Sequence, residues 1–277
     1  MTILLLTLYI LIGAYGAGLL GALTGLGGGI VIIPLLTLVL DVDIHYAIGA
    51  SLVSVIATSS GSASAYVKEG ITNMRLGMFL EIATTLGAVG GAFLSSYVPA
   101  SFIAIIFGVI LIFSALMSLK KKNLQADPVS SKTAAFLRLG SSYPDQNQQI
   151  QYGVRNVFGG FGLMGFAGVI SGLLGIGSGA LKVIAMDNIM RIPFKVSTTT
   201  SNFMIGVTAA ASAVIYLQRG YIDPGLAMPV MLGVVLGAIT GSKILVKANS
   251  KSLKIIFAIV ISVLAVQMIY KGFSGKI

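Results

Sequence analysis

Apolar positions along this chain gather into ten runs, at about 2–24, 27–40, 44–67, 73–97 and 100–119, then at about 154–174, 177–190, 194–218, 223–246 and 252–272. Most reach the roughly 20 residues that a tilted helix needs to cross a bilayer, whereas the second run of each five has only about 14. The pattern predicts an all-α polytopic membrane protein of eight to ten membrane segments, with a half-helix second in each set. The first run flows straight into a glycine-rich stretch and has no basic residue ahead of it, since the first lysine is Lys68. It is expected to be a retained helix rather than a cleaved signal.

The two sets are copies of one unit. Gly25–Leu36 (GLGGGIVIIPLL) returns 150 residues later as Gly175–Met186 (GIGSGALKVIAM), and the offset then holds without a gap. Gly27, Gly29, Ser51, Thr58, Tyr66, Gly70, Gly87, Gly91 and Phe107 each meet an identical residue at that offset. A backbone break inside an apolar run, present twice, is what a two-repeat membrane transporter writes into its sequence. The repeats are expected to occupy 1–119 and 153–277. Between them, 120–152 is rich in Lys, Ser, Gln, Asn and Asp, holds Pro128 and Pro144, and reads as a solvent-exposed linker.

Lys120, Lys121 and Lys122 follow a span directly, and the bias of Lys and Arg toward the cytoplasm sets the linker inside. Counting spans outward from it puts fourteen basic residues inside and only Arg219, Lys271 and Lys276 outside. Tyr97–Ser101, with no basic residue, falls outside, while its repeat counterpart Lys247–Lys251 falls inside. The repeats are therefore expected to be inverted, although the two lysines of the tail run against the rule.

Composition narrows the function. With 56% hydrophobic and 9% charged residues and a mean hydropathy of +0.98, a water-soluble fold would expose more apolar surface than soluble monomers tolerate. The absence of cysteine removes disulfides and thiolate metal sites, and the single His45 cannot build a zinc centre alone, so neither metal nor cofactor is expected. The net charge of +10 is spread through short loops, which fits topology signals better than nucleic-acid binding.

Broken backbone is tolerated inside a membrane only where its N–H and C=O groups meet protein, water or ligand. Gly27, Gly28 and Gly29 precede one half-helix, and Gly177, Ser178 and Gly179 the other, so each break is expected to line a cavity and to offer N–H donors at a positive helix end. That chemistry suits an anion. Gly13, Gly16, Gly87, Gly91, Gly237 and Gly241 read instead as small residues that let helices pack closely. GLGGGI lacks the last glycine of a dinucleotide fingerprint, and GIGSG lacks the histidine base of a hydrolase elbow, so no catalytic residue is assigned.

Two of the charges inside the runs stand out. Lys182, three residues past Gly179, costs roughly 2.5 to 3.5 kcal/mol at the centre of a span and needs compensation. An anionic substrate, snorkelling to the interface and pairing with Asp187 are the alternatives. Glu81 faces Met231 in the other copy and is the candidate for a coupling proton, unless it reaches interfacial water. Ser51, Thr199, Thr200, Ser201 and Asn202 cluster at the starts of the paired long helices, where they serve either a substrate oxyanion or hydrogen bonding between helices.

Through Gly25–Leu36 with Pro34, Ser171–Asp187 (SGLLGIGSGALKVIAMD) and Thr200–Tyr216 (TSNFMIGVTAAASAVIY), the chain resembles the TauE/SafE family of sulfite and organosulfur anion exporters, over nearly its whole length. Ser178 stands at a position that is usually glycine, and Ile184 replaces the usual second proline. The resemblance implies a multi-spanning permease of the cell (inner) membrane that moves small sulfur-containing anions such as sulfite, sulfoacetate or thiosulfate. The combined reading is a secondary transporter working by alternating access, in contact with the lipid bilayer, with H⁺ or Na⁺ as candidate coupling ion and a homo-oligomer left open. A passive anion channel is the close alternative, and a membrane enzyme or scaffold the distant one.

Overall fold

The computed structural model describes residues 3–24, 28–68, 70–119, 129–145, 148–245 and 250–275. The protein is an all-α polytopic membrane protein. Its first copy contains α1 (Ile3–Thr24), a short α2 (Gly29–Pro34), α3 (Ile44–Lys68), α4 (Met74–Leu94) and α5 (Ala100–Leu119). After a short α6 (Lys132–Phe136) and a hairpin of β1 (Ser141–Asp145) and β2 (Gln148–Tyr152), the second copy repeats the series. It comprises α7 (Val157–Leu174), α8 (Gly179–Ile184), α9 (Phe194–Gln218), α10 (Pro224–Leu245) and α11 (Ser250–Phe273). Among the described residues five helices, α3, α4, α7, α9 and α10, hold apolar stretches long enough to cross a membrane. Shorter apolar stretches mark α1, α5 and α11.

The two short helices are built alike. Each runs on into a π turn, Leu35–Val39 after α2 and Ala185–Ile189 after α8. Each then stops at a left-handed residue at the repeat offset, Asp41 (φ 49°) and Arg191 (φ 57°). The same long backbone bond closes both ends, from Val42 N–H to Leu36 O and from Ile192 N–H to Met186 O, 3.0 Å each. Eleven residues at about 1.5 Å each span only about half a bilayer. The chain uses them to turn back: Gly28 lies beside Gly18, and Leu35 beside Gly13 nearer the start of α1. In the second copy Met190 returns to Gly160, and its carbonyl accepts from the Arg155 N–H. Each half-helix thus folds back along its predecessor and adds no crossing of its own among the described residues.

Packing shows how the copies relate. α1 lies against α10 and α4 against α7, so the first helix of each copy is paired with the third long helix of the other. The equivalent helices α5 and α11 meet with Gly108 near Ala265 and Ile269 and with Gly272 near Ser101 and Ile105, hence antiparallel. α3 and α9 also run antiparallel, with Ser59 beside Gly206 and Gly49 beside Tyr221 just past the end of α9. Equivalent helices that run in opposite directions mean inverted repeats. The α4–α7 contact is tight enough that a β-carbon on Gly87, Gly91, Gly168 or Gly172 would collide with backbone, and Gly18 and Gly237 repeat this between α1 and α10. Gly16 departs from the packing expectation, with nothing within 4 Å of its β-position.

The linker is only partly exposed. Ala134, Leu139, Tyr143 and Tyr152 are buried in one cluster with Leu76, Leu80, Met186 and Val196 at the end of the bundle. Asn73 is the junction. Its carbonyl oxygen caps α4 by accepting from Leu76 N–H, its amide donates to Leu139 O and to the Tyr152 hydroxyl, and its backbone N–H donates to Thr200 Oγ1 of α9. Burial pushes the Tyr152 hydroxyl up to about 12, so at neutral pH it remains protonated as it accepts from Asn73.

Candidate functional site

The second break is held in an unusual conformation before any ligand is considered. Gly177 (φ 70°) and Ser178 (φ 49°) are both left-handed, a region that disfavours a side chain such as that of Ser178. The Ser178 hydroxyl is buried at 3% exposure and has no hydrogen-bond partner. The expected carbonyl partners are present, from both copies. Ser51 Oγ of α3 donates to Gly175 O at 2.9 Å, and Ser201 Oγ of α9 donates to Gly179 O at 3.2 Å. These two serines join helices to the break; Asn202 lies buried on the same turn of α9.

The described glycines of the breaks are closely packed. The β-position of Gly28 faces Val234, that of Gly29 faces Ser51 and Val55, and those of Gly177 and Gly179 face Ile205. Gly27 lies outside the described residues. The absence of a β-carbon at these four positions lets the facing side chains approach the backbone of the breaks.

Lys182 sits one turn into α8 and is fully buried. It neither snorkels nor depends on Asp187 alone. Its ammonium donates to Thr208 Oγ1 of α9 and lies 4.0 Å from Glu81 Oε2 of α4. Thr208 Oγ1 in turn lies 2.6 Å from Glu81 Oε1 and 2.9 Å from Met204 O, and Thr85 Oγ1 donates to Glu81 Oε1 at 3.2 Å. Glu81 is therefore not an isolated charge. Its Oε2 has no hydrogen bond, only the ammonium 4.0 Å away. Three helices deliver these groups, and α4 and α9 are the two that Asn73 fastens together at their starts.

On its other side Glu81 borders a groove of about 470 Å³ between α4 and α9, lined by Met78, Ile82, Thr85, Leu86, Phe203 and Val207. Met78, Ile82 and Leu86 are more than half exposed, so the groove opens on the apolar outer surface of the bundle. Glu81 thus stands between a buried cation and an apolar recess.

Thr208 and Thr85 were missing from the sequence expectation. For Thr208 two signals were available: its identity with Thr58 at the repeat offset, and its place seven residues after Ser201, on the same face of α9. No local signal marks Thr85, which is recognised only through Glu81. Among the described residues no group of acidic or histidine side chains could hold a metal ion.

A family model described as Sulfite exporter TauE/SafE matches residues 9–268. The chain is 30% identical over 263 residues to "Probable membrane transporter protein YunE" of Bacillus subtilis, covering 92% of this chain and 94% of that one. It is 27% identical to "Probable membrane transporter protein YdhB" of the same organism, covering 82% and 85%. A "Probable membrane transporter protein" of Xylella fastidiosa (strain 9a5c) is 24% identical over 98% of both chains. No solved structure matches.

Proposed function

Because the chain belongs to the sulfite exporter TauE/SafE family and is a membrane transporter of that type, we propose that it carries small sulfur-containing anions, such as sulfite, thiosulfate or sulfoacetate, by alternating access. The observation that carries this reading is the fully buried ammonium of Lys182 in a re-entrant half-helix. A charge there is expensive unless paired, and an anion arriving from water is the natural partner for it. The orphaned Ser178 hydroxyl one turn earlier adds a donor, and Gly177 and Gly179 keep the approach narrow in side-chain bulk. Ser51, Ser201 and Asn202 frame the same centre from α3 and α9. Gly27, Gly28 and Gly29 are proposed as the counterpart binding stretch of the first copy.

Residues 1–119 and 153–277 are the two repeats on this reading, and because their helices pair mainly across the copies, the moving units combine helices of both; 120–152 is assigned to the cytoplasmic side of the cell (inner) membrane. Lys271, which the charge rule would place inside, has its own reason to face outward. It pairs with Asp41 at 3.0 Å and reaches the last carbonyls of the first half-helix, where a cation is favoured. Glu81 is the residue proposed to carry a coupling proton, in preference to a sodium site. The close packing at Gly28, Gly29, Gly177 and Gly179 supports a carrier over a passive anion channel, and the chain is read as a transporter rather than an enzyme.

The test is a thermal melt of purified protein with sulfite, thiosulfate and sulfoacetate, since a ligand bound only by the folded state raises its stability. A Lys182→Met variant should lose a charge-assisted contact of about 1.5–3 kcal/mol, or roughly tenfold or more in affinity. Equal anion stabilisation of wild type and Lys182→Met would remove the lysine from the site. Counterflow of labelled anion in proteoliposomes separates carrier from channel, because a pore gives none.

A further inference from the structure

Glu81 has two places to be, and its neighbours are arranged for both. In the structure its carboxylate faces Lys182. Glu81 also lines the groove of Met78, Ile82, Leu86, Phe203 and Val207, whose apolar walls favour a neutral carboxylic acid over a carboxylate. The hydroxyl between the charges also serves either arrangement. Thr208 accepts from Lys182 and has one proton to give, with Glu81 Oε1 at 2.6 Å and Met204 O at 2.9 Å as alternative acceptors. It stays hydrogen-bonded whether or not Glu81 is there.

The charged surroundings of Glu81 are few. On its own helix Arg75 is turned to the Arg138 carbonyl. α7 carries no ionisable residue. On α9, Lys195 lies over the Tyr143 ring and Tyr216 donates to the Gly172 and Leu173 carbonyls. From the re-entrant segment come Lys182 and, on the π turn beyond it, Asp187. Lys182 is the cation in contact with Glu81 among the described residues.

Resting on the reading of Lys182 as the anion-binding residue, we propose that Glu81 is a tethered competitor for that site. In the empty protein its carboxylate neutralises the ammonium. A substrate anion displaces it, and the freed carboxylate takes one proton from the aqueous side then open and turns into the apolar groove. The exchange balances: ammonium, carboxylate, anion and proton become an ammonium–anion pair and a carboxylic acid, with one O–H bond formed and nothing oxidised or reduced. For a monovalent anion the empty and the loaded centre then carry the same net charge. For a dianion such as thiosulfate the loaded centre is one charge more negative, and without the proton two; in either case the proton removes one uncompensated negative charge from a medium of low dielectric, which is what couples it to binding.

Infrared difference spectroscopy on the full-length protein in detergent tests this without knowing the substrate. Lys182→Met should show, at neutral pH, the carbonyl band of one carboxylic acid free of strong hydrogen bonds, lost again in Lys182→Met/Glu81→Gln and absent from wild type. Lys182→Gln, closer in length and polarity, gives the same reading if the methionine variant folds poorly. No such band in either variant would overturn the proposal, since Glu81 would then stay ionised without its cation. Thiosulfate, which does not titrate near neutral pH, should raise the same band in wild type. If thiosulfate stabilises wild type in the melt and raises no band, the competition is overturned. If neither sulfite nor thiosulfate binds while the variant band is present, the Glu81 switch stands and the sulfur-anion reading falls.

Discussion

Lys182 and Ile32 occupy equivalent places in the two re-entrant half-helices, and both are fully buried. Around Lys182 stand Thr208 and Glu81, and the residues that match these two at the repeat offset are Thr58 and Met231. Thr58 bonds back to Ser54 O and Val55 O of its own helix, the ordinary fate of a threonine in an apolar helix, whereas Thr208 bridges two charges. One backbone plan thus carries a lysine paired across the copies in the second half-helix and an isoleucine at the same place in the first. The fold does not require the charges. Buried ion pairs are weak evidence for stability in any case, and here the molecule contains its own apolar control.

The comparison can be broken most forcefully by making the halves alike. Glu81→Met alone strands a buried ammonium and should destabilise by about 3–5 kcal/mol, read as a drop in thermal midpoint. Adding Lys182→Ile copies the other centre, so stability should return to the wild-type level or above while transport of labelled anion is lost. A double variant as unstable as Glu81→Met would show that the two backbones are not interchangeable. A smaller effect belongs to the helix contacts. Gly168→Ala and Gly18→Ala each drive a methyl into a facing carbonyl, of Thr84 and Val234 respectively, and should each cost about 1–3 kcal/mol. Equal losses would extend the likeness of the copies to energetics, and a gap above about 1 kcal/mol would limit it to geometry. The smallest pair is Ser51→Ala and Ser201→Ala, each removing one hydrogen bond to the second break and about 1 kcal/mol of stability.

The sequence carried the elements and their doubling well, because span length is fixed by bilayer thickness and register by the repeat offset. The short runs, the inversion and the close-packed Gly87, Gly91 and Gly237 were all legible. The Lys182–Glu81 pairing was not. Its partners lie in different copies and on different faces of the offset, so neither periodicity nor repeat symmetry connects them. The closure over the breaks was hidden for a related reason: Val234 and Ile205, which cover them, are ordinary apolar residues of α10 and α9. In the linker a polar composition concealed Tyr143, Ile150 and Tyr152, whose alternate spacing is enough for a two-stranded hairpin that docks on Asn73.

The exchange of partners between copies also bears on how the chain is made. α1 leaves the ribosome early, but the helix that covers it, α10, is synthesised near the end. The first re-entrant segment waits longer still, because its latch, Lys271 on Asp41, comes from the last helix. Neither copy can be a finished unit by itself. The nascent protein must hold its early helices in the bilayer, or against the insertion machinery, until the late ones arrive. Two halves expressed as separate polypeptides should therefore assemble with each other and fail to mature alone.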